Sequence, residues 1–200
     1  MENKQVKIEK ILRLDEYIGS NNLLEVYSKY RDSDSFLLGY LIDELDEYYI
    51  FETIDDYGAL DGFSLYAKSD VDEILSHTSY TGIYESYVHL QKEKGTYDIF
   101  SLGQQYKSVP KKSILSILEY CYLHKKIIML NETDHEISRG GRVLSIDNST
   151  ITLDQVSYYN DWENSEIEIN QNVPIEISKI IGLDIISKDN YLYEQYLKQK

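Results

Sequence analysis

The sequence is poor in the residues that build covalent cross-links and cysteine-based metal sites. Its 200 residues include one cysteine, Cys121, and only two prolines. A single cysteine excludes an internal disulfide framework and a zinc site made of cysteines. No apolar run reaches the roughly 18–20 residues that span a bilayer, and residues 1–7 lack the apolar core of a secretory signal. These absences favour a cytoplasmic protein.

Recognisable catalytic motifs are also missing. Gly140-Gly141 leads into a strand pattern, whereas a phosphate-binding loop needs a glycine turn that opens a helix. Neither a Gly-x-Ser-x-Gly elbow nor a His-Glu-x-x-His pair occurs. The segment Glu132–Glu136 holds metal-ligand residue types, but their spacing matches no closed site. We therefore expect a protein that is not an enzyme and that has no cofactor and no metal.

Basic residues are scarce, and they are unevenly distributed along the chain. The chain has 20 Lys and Arg against 35 Asp and Glu, a net charge of −15. Residues 43–73 hold eleven carboxylates and one base, Lys68. Such a segment argues against nucleic acid as a partner, because backbone binding depends on cationic side chains that displace counterions. It acts either as a solvated face that keeps the protein soluble or as a patch that steers a basic partner.

Tyrosine is abundant, with 20 residues against four phenylalanines and one tryptophan. Tyrosine suits half-buried strand positions and also binding surfaces, since its ring is large and rigid and its tip is polar. Several tyrosines fall inside the acidic segment. The candidate partner-binding residues are Asp43, Glu44, Asp46, Glu47, Tyr48, Asp55, Asp56, Tyr57, Asp61 and Tyr66.

An internal repeat indicates the architecture. When Gly39 is aligned with Gly141, apolar residues coincide along the following strand patterns, and the polar turn 55–62 falls on 157–164. The alternation predicts strands near 23–30, 36–45, 48–54, 62–68 and 71–76, and again near 125–131, 141–147, 150–156, 165–170 and 177–187. Amphipathic spacing predicts helices over 6–14, 81–93 and from 110 onward, with a further helical brace at the C-terminus.

The predicted fold is mainly β with short helices, of the α+β class. Each half reads as a helix followed by five short strands, which we interpret as two tandem Sm-like/SH3-like five-stranded barrels, each preceded by a helix. The first unit would cover residues 1–95, a linker 96–109, and the second unit 110–200. Residues 81–93 would pack as a helix with Ile83, Tyr84, Tyr87, Val88 and Leu90 on one side.

Short motifs carry a resemblance to Sm-like proteins over most of both halves. Residues 141–147, Gly-Arg-Val-Leu-Ser-Ile-Asp, resemble the first Sm motif, and residues 180–186 resemble the second around Gly182. The resemblance implies bent five-stranded barrels and binding of single-stranded RNA. However, the positions at which the family contacts RNA hold Ser149, Ile151 and Ile181, which supply neither a stacking ring, nor a base-reading amide, nor a cation.

Three classes of function follow from these patterns. The first is a non-enzymatic acidic binding protein that inhibits a basic protein partner, as an immunity protein inhibits a toxin or a phage protein blocks a defence enzyme. The second is an Sm-like module that binds RNA or a nucleotide through the cations of the second half. The third is a structural subunit that forms homo-oligomers through open sheet edges.

Overall fold

The computed structural model describes residues 9–10, 14–29, 36–133, 138–155 and 171–199. Within these residues eleven strands form one continuous sheet, and every neighbouring pair is antiparallel. The strands are β1 (Glu9–Lys10), β2 (Leu24–Ser28), β3 (Phe36–Leu45), β4 (Tyr48–Ile54), β5 (Leu60–Ala67), β6 (Val71–Ser76), β7 (Ile127–Glu132), β8 (Arg139–Ile146), β9 (Thr150–Gln155), β10 (Gln171–Glu176) and β11 (Ile180–Ser187).

Four α-helices accompany the sheet in the described residues. They are α1 (Ser79–Glu93), α2 (Leu102–Tyr106), α3 (Ile114–Leu123) and α4 (Lys188–Leu197). Short 3-10 turns cover Leu14–Tyr17 and Ile177–Lys179. Side chains that accept from orphan backbone N–H groups begin three of the helices: Thr78 caps α1, Ser113 caps α3 and Ser187 caps α4.

The strand order is β1-β6-β2-β3-β4-β5-β11-β7-β8-β9-β10. In each half the fifth predicted strand lies beside the first, so the repeat seen in the sequence is also a repeat of strand order. The halves join where β5 pairs with β11, from Gly62 to Tyr66 on one strand and from Gly182 to Ser187 on the other. The sheet therefore runs without interruption from one half into the other.

The prediction of two separate five-stranded barrels is wrong. If the halves were separate, β5 and β11 would each leave a row of backbone N–H and C=O groups unpaired at the edge of their half. Pairing β5 with β11 satisfies both rows. The predicted helix ahead of the first unit is also wrong in its described part, because Glu9–Lys10 forms a strand on β6 and Leu14 begins a 3-10 turn. The predicted strand 165–170 lies outside the described residues.

The core consists of one large cluster and two smaller ones. The large cluster draws on both halves, with Ile50 and Leu65 from the first, Leu130 and Leu183 from the second, and α3 above them. A second cluster holds Leu24, Leu41, Phe51, Tyr66 and Ile74 among strands of the first half. The third holds Leu23, Leu38, Ile54 and Val88 beneath α1. These clusters fix which surfaces of the helices remain available to a partner.

The segment 96–109 contributes to the large cluster. Leu102, Tyr106 and Val109 are buried there, and the Tyr106 ring stacks on Phe63 with centroids 4.0 Å apart. Asp98 accepts hydrogen bonds from the backbone N–H groups of Leu102 and Gly103 at the start of α2. This part of the chain thus packs between the two halves. Across the described residues, no helix has the length and apolar character needed to cross a bilayer.

Candidate protein-docking surface

The first group of predicted binding residues lies at the β3–β4 hairpin. Asp43 and Glu44 lie near the end of β3, Asp46 and Glu47 form the turn, and Asp46 adopts a positive φ of 46° there. Glu44 Oε2 accepts from Lys68 Nζ at 2.8 Å, which neutralises one of these charges. This end of the sheet is acidic, and Lys68, which directly follows β5, pairs with Glu44 there.

Two of the predicted tyrosines face the interior. Tyr48 is 8% exposed, and its hydroxyl donates to the carbonyl of Ile180 at 2.8 Å, which ties the two halves together. Tyr66 is 4% exposed and packs edge-on against Phe51 in the second cluster. The prediction that these side chains contact a partner is corrected, because neither ring reaches the surface. Their aromatic bulk stabilises the fold.

The second group lies in the β4–β5 loop at the opposite end of β4. Asp55 Oδ1 accepts from the backbone N–H groups of Tyr57 and Ala59, both at 2.9 Å, and Asp55 Oδ2 accepts from Lys188 Nζ. Burial alone would raise the pKa of Asp55, but the Lys188 and backbone hydrogen bonds outweigh it and lower the pKa. Asp56 and Tyr57 project from this pinned loop, and Tyr57 is 76% exposed.

The two groups do not form one acidic surface. The seven residues of β4 separate them, and at about 3.3 Å per residue that places them roughly 20 Å apart. Each group also contains a carboxylate paired with a lysine, Glu44 with Lys68 and Asp55 with Lys188. The structure therefore brings together Asp55, Asp56 and Tyr57, and leaves the hairpin carboxylates at the other end of the sheet.

An aromatic surface lies next to the β4–β5 loop. We call it the tyrosine face, and it consists of Tyr57, Tyr80, Ile83, Tyr84, Tyr87 and Leu90. Helix α1 buries only Thr81 and Val88, whereas Ile83 is 51% exposed and Leu90 47% exposed. Of the residues predicted on one side of this helix, Val88 is buried and Tyr84 packs partly buried against the third cluster, whereas Ile83, Tyr87 and Leu90 are exposed.

Close packing fixes the loop against the helix. Gly58 has a φ of +77°, and a Cβ there would lie 2.6 Å from Tyr87 Cβ and 2.7 Å from the Val88 nitrogen. Gln91 Nε2 donates to the carbonyl of Tyr57 at 3.0 Å. Only glycine permits both the left-handed backbone and this approach. The loop and α1 thus present Tyr57 on a rigid support.

The rings of the face contact one another along α1. Tyr80 stacks on Tyr84 with centroids 4.6 Å apart, and Tyr84 contacts Tyr87 at 5.3 Å. The hydrogen bond with Tyr80, desolvation and the charges of Asp56 and Asp55 raise the pKa of Tyr84 to about 12. The carboxylates of Asp55 and Asp56 therefore lie close enough to the tyrosine face to influence the hydroxyl of Tyr84.

The sequence contained a signal for this face. Tyr80, Ile83, Tyr87 and Leu90 follow the spacing i, i+3, i+7, i+10, which is a second apolar stripe beside the one that contains Val88. A helix that packs on one side needs only one such stripe. The apolar surface that the sequence predicts for α1 is thus wider than one stripe packed on the core requires.

The cysteine and the candidate metal ligands do not add a second site within the described residues. Cys121 is buried, and desolvation raises its pKa to about 12, which keeps the thiol protonated at neutral pH. No group of three or more His, Cys, Asp or Glu side chains is placed to hold a metal within the described ranges. Asp134, His135 and Glu136 lie outside those ranges. The exposed apolar side chains of α1 and the β4–β5 loop therefore form the candidate docking surface.

Comparison with family models, curated proteins and solved structures gave no match. The resemblance to Sm-like proteins therefore stays a prediction.

Proposed function

We propose that the protein is a non-enzymatic binding protein that inhibits a basic protein partner by docking on it with the tyrosine face. The observation that carries this proposal is the exposure of five apolar or aromatic side chains on one helix and its adjoining loop. Tyr57, Tyr80, Ile83, Tyr87 and Leu90 are each at least 40% exposed. A contiguous apolar surface of this kind is typical of a protein-binding site.

The composition of the face suits a protein interface. Tyrosine is enriched in interface cores because it buries a large rigid ring at low entropic cost and keeps a hydroxyl for hydrogen bonds. Tyr57 is the most exposed large hydrophobic side chain of the described residues. Since Asp55 and Gln91 hold its loop in place, little order is lost when a partner covers the ring. Tyr57 is therefore the anchor that we assign to the interface.

The negative charge around the tyrosine face favours a basic partner. Asp56 is exposed beside Tyr57, and the net charge of the whole chain is −15. Such a field accelerates encounter with a cationic surface and repels phosphate backbones. The proposal therefore favours a basic protein over nucleic acid. The hairpin carboxylates contribute to the long-range field, although they lie too far away to contact the same patch.

A site-specific photo-crosslinker tests this proposal. Benzophenone side chains would be introduced at Tyr57 and at Ile83, and at Tyr122 on α3 as a matched exposed position of the other half. After irradiation in cells of the source organism, adducts would be identified by mass spectrometry. We expect one protein with a net positive surface to be captured at positions 57 and 83 and to be absent from position 122.

The purified partner then permits quantitative measurements. Tyr57→Ala and Ile83→Asp should each weaken its affinity about tenfold or more, as truncation of interface anchors does, while Tyr122→Ala leaves it unchanged. Raising the salt from about 50 to about 300 mM should slow association several-fold. An acidic partner, equal capture at position 122, no capture at 57 and 83, or a salt-independent association rate would refute the proposal.

A further inference from the structure

We propose that a pocket between α3 and β8 binds a small organic anion, in which a carboxylate or phosphate group is attached to an apolar group. The pocket has a volume of about 370 Å³, which falls within the range of about 300–1,000 Å³ for small-molecule sites. Its lining consists of Tyr122, Leu123, Lys125, Arg142, Val143 and Leu144. This site lies in the second half and does not depend on the tyrosine face.

Arg142 provides the strongest indication of a ligand. Its Nε atom is buried and has no hydrogen-bond partner within the described part of the chain. A guanidinium donates in a fixed planar geometry that matches carboxylate and phosphate oxygens, and it stays charged at every physiological pH. Asp154 lies opposite Arg142 in the β8–β9 ladder, yet it accepts no hydrogen bond from Nε. An anion in the pocket would satisfy this donor.

Lys125 supplies a second cation from the connection between α3 and β7. Its backbone adopts a φ of +52°, a conformation that is uncommon for residues other than glycine. The N–H of Lys125 donates to the Tyr122 carbonyl at 3.1 Å, which holds this turn at the mouth of the pocket. Among the described residues, the lining of the pocket thus has two cationic side chains and no carboxylate, in a protein whose net charge is −15.

The rest of the lining is apolar and accessible. Tyr122 is 45% exposed, Leu123 73% and Leu144 42%. These side chains offer a ring and two aliphatic groups to the non-ionic part of a ligand, as in most small-molecule sites. A bare inorganic anion would leave this surface in water. The lining therefore favours a ligand that carries an aromatic or aliphatic group.

A neighbouring cavity fixes the orientation of the ligand. It has a volume of about 330 Å³, shares Tyr122 with the first pocket, and its charged lining residues are Glu119 and Asp147. These carboxylates repel an anion at that end. The anionic group consequently belongs beside Arg142 and Lys125, and the apolar group extends towards Tyr122.

Calorimetric titration of the full chain with defined probes tests the proposal. Phenyl phosphate and benzoate combine a ring with an anion, whereas inorganic phosphate lacks the ring and phenol lacks the charge. We expect at least one of the two ring-bearing anions to bind about tenfold or more tightly than phosphate and phenol. The ratio of phenyl phosphate to benzoate affinity then distinguishes a phosphate ester from a carboxylate as the natural ligand.

Matched variants connect that binding to the pocket. Arg142→Gln should weaken binding about tenfold or more, and Arg142→Lys should restore only part of it, because the charge remains while the planar donor set is lost. Lys112→Gln, at an exposed lysine outside the lining, should have no effect. Circular dichroism would establish that each variant is folded before titration.

The outcomes separate this proposal from the proposed function. Tyr57→Ala should leave probe binding unchanged, and Arg142→Gln should leave the partner's affinity unchanged. No binding of either ring-bearing anion up to about 10 mM, equal affinity for phenyl phosphate and phenol, or an Arg142→Gln variant with undiminished affinity would each overturn the anion site. The tyrosine face would be unaffected by any of these results.

Discussion

At the scale of single residues, Asp61 is a half-buried carboxyl with a raised pKa. It lies near the start of β5 beside Gly62, in the region where Lys188 approaches the sheet. Desolvation raises its pKa to about 6; Lys188 opposes this rise, and the charges of Asp189, Asp184 and Asp55 add to it. Burial therefore outweighs the attraction of the nearby ammonium group.

This pKa gives stability a defined dependence on pH. A carboxyl with a raised folded pKa binds its proton more tightly in the folded state, so its contribution favours folding at low pH and is lost as the pH rises through about 6. Asp61→Asn removes the buried charge and should raise the free energy of unfolding at pH 8 by about 1–3 kcal/mol. The gain should vanish near pH 4. Urea denaturation at both pH values measures the difference.

Asp56→Asn is the matched control for this substitution. Asp56 is exposed in the β4–β5 loop that precedes Asp61, and its replacement should change stability by less than about 0.5 kcal/mol at either pH. If Asp61→Asn shows the same pH dependence of stability as the parent chain, the explanation through burial is refuted.

At the scale of elements, local capping and tertiary contact determine the helices together. Ser113 accepts from the Ser116 N–H at 3.1 Å, and Ser116 Oγ accepts from the Ser113 N–H at 3.0 Å, which forms a reciprocal capping box at the start of α3. The face of α3 that contains Ile117, Leu118 and Cys121 is buried against the sheet. The cap thus fixes where the helix begins, and the sheet fixes which side it buries.

The cap makes a measurable contribution to stability. Ser113→Ala leaves backbone N–H groups of the first turn without an acceptor and should lower the free energy of unfolding by about 0.5–2 kcal/mol. Ser108→Ala, at an exposed serine between α2 and α3, should lower it by less than about 0.5 kcal/mol. Chemical denaturation of both variants gives the comparison, and equal losses would contradict the assignment of the cap.

At the scale of the whole molecule, the junction of β5 with β11 makes the two halves one unit. The ladder there brings Gly62 against Ser187, and Tyr48 donates across the halves to Ile180. The largest hydrophobic cluster contains residues of both halves. Because hydrogen bonds and core are shared, we expect the two halves to unfold together in one cooperative transition.

A pair of glycine substitutions tests this coupling. A Cβ at Gly62 would lie 2.6 Å from the Ile186 carbonyl oxygen and 2.9 Å from Ser187 Cα, so Gly62→Ala should force the junction apart and destabilise the whole protein. A Cβ at Gly82 in α1 would have nothing within 4 Å. Gly82→Ala should therefore stabilise the chain by about 0.5–1 kcal/mol.

Thermal unfolding followed by far-ultraviolet circular dichroism of the backbone and by near-ultraviolet circular dichroism of the packed tyrosines measures both variants. We expect the two probes to report the same transition in the parent chain, a lower melting temperature in Gly62→Ala and a higher one in Gly82→Ala. Separate transitions for the two probes in the parent chain would show that the halves unfold independently.

The sequence by itself determined the local elements. Alternation of apolar and polar residues located β3, β4 and β6 at their observed bounds. The 3.6-residue spacing located the start of α1 to within two residues, whereas α3 begins four residues after its predicted start at 110. The repeat of Gly39 at Gly141 also anticipated that both halves share one strand order. These features depend on neighbours along the chain, and side-chain periodicity records them directly.

Only the tertiary structure decided how the halves meet and which side chains remain exposed. Alternation indicates that a strand edge exists, but it does not indicate whether β5 closes on its own half or pairs with β11, since both choices bury the same face. The same limit explains why Tyr48 and Tyr66 are buried while Tyr57 and Tyr87 are exposed. A tyrosine has the same chemistry in either place, and its role depends on contacts between residues that are distant in the chain.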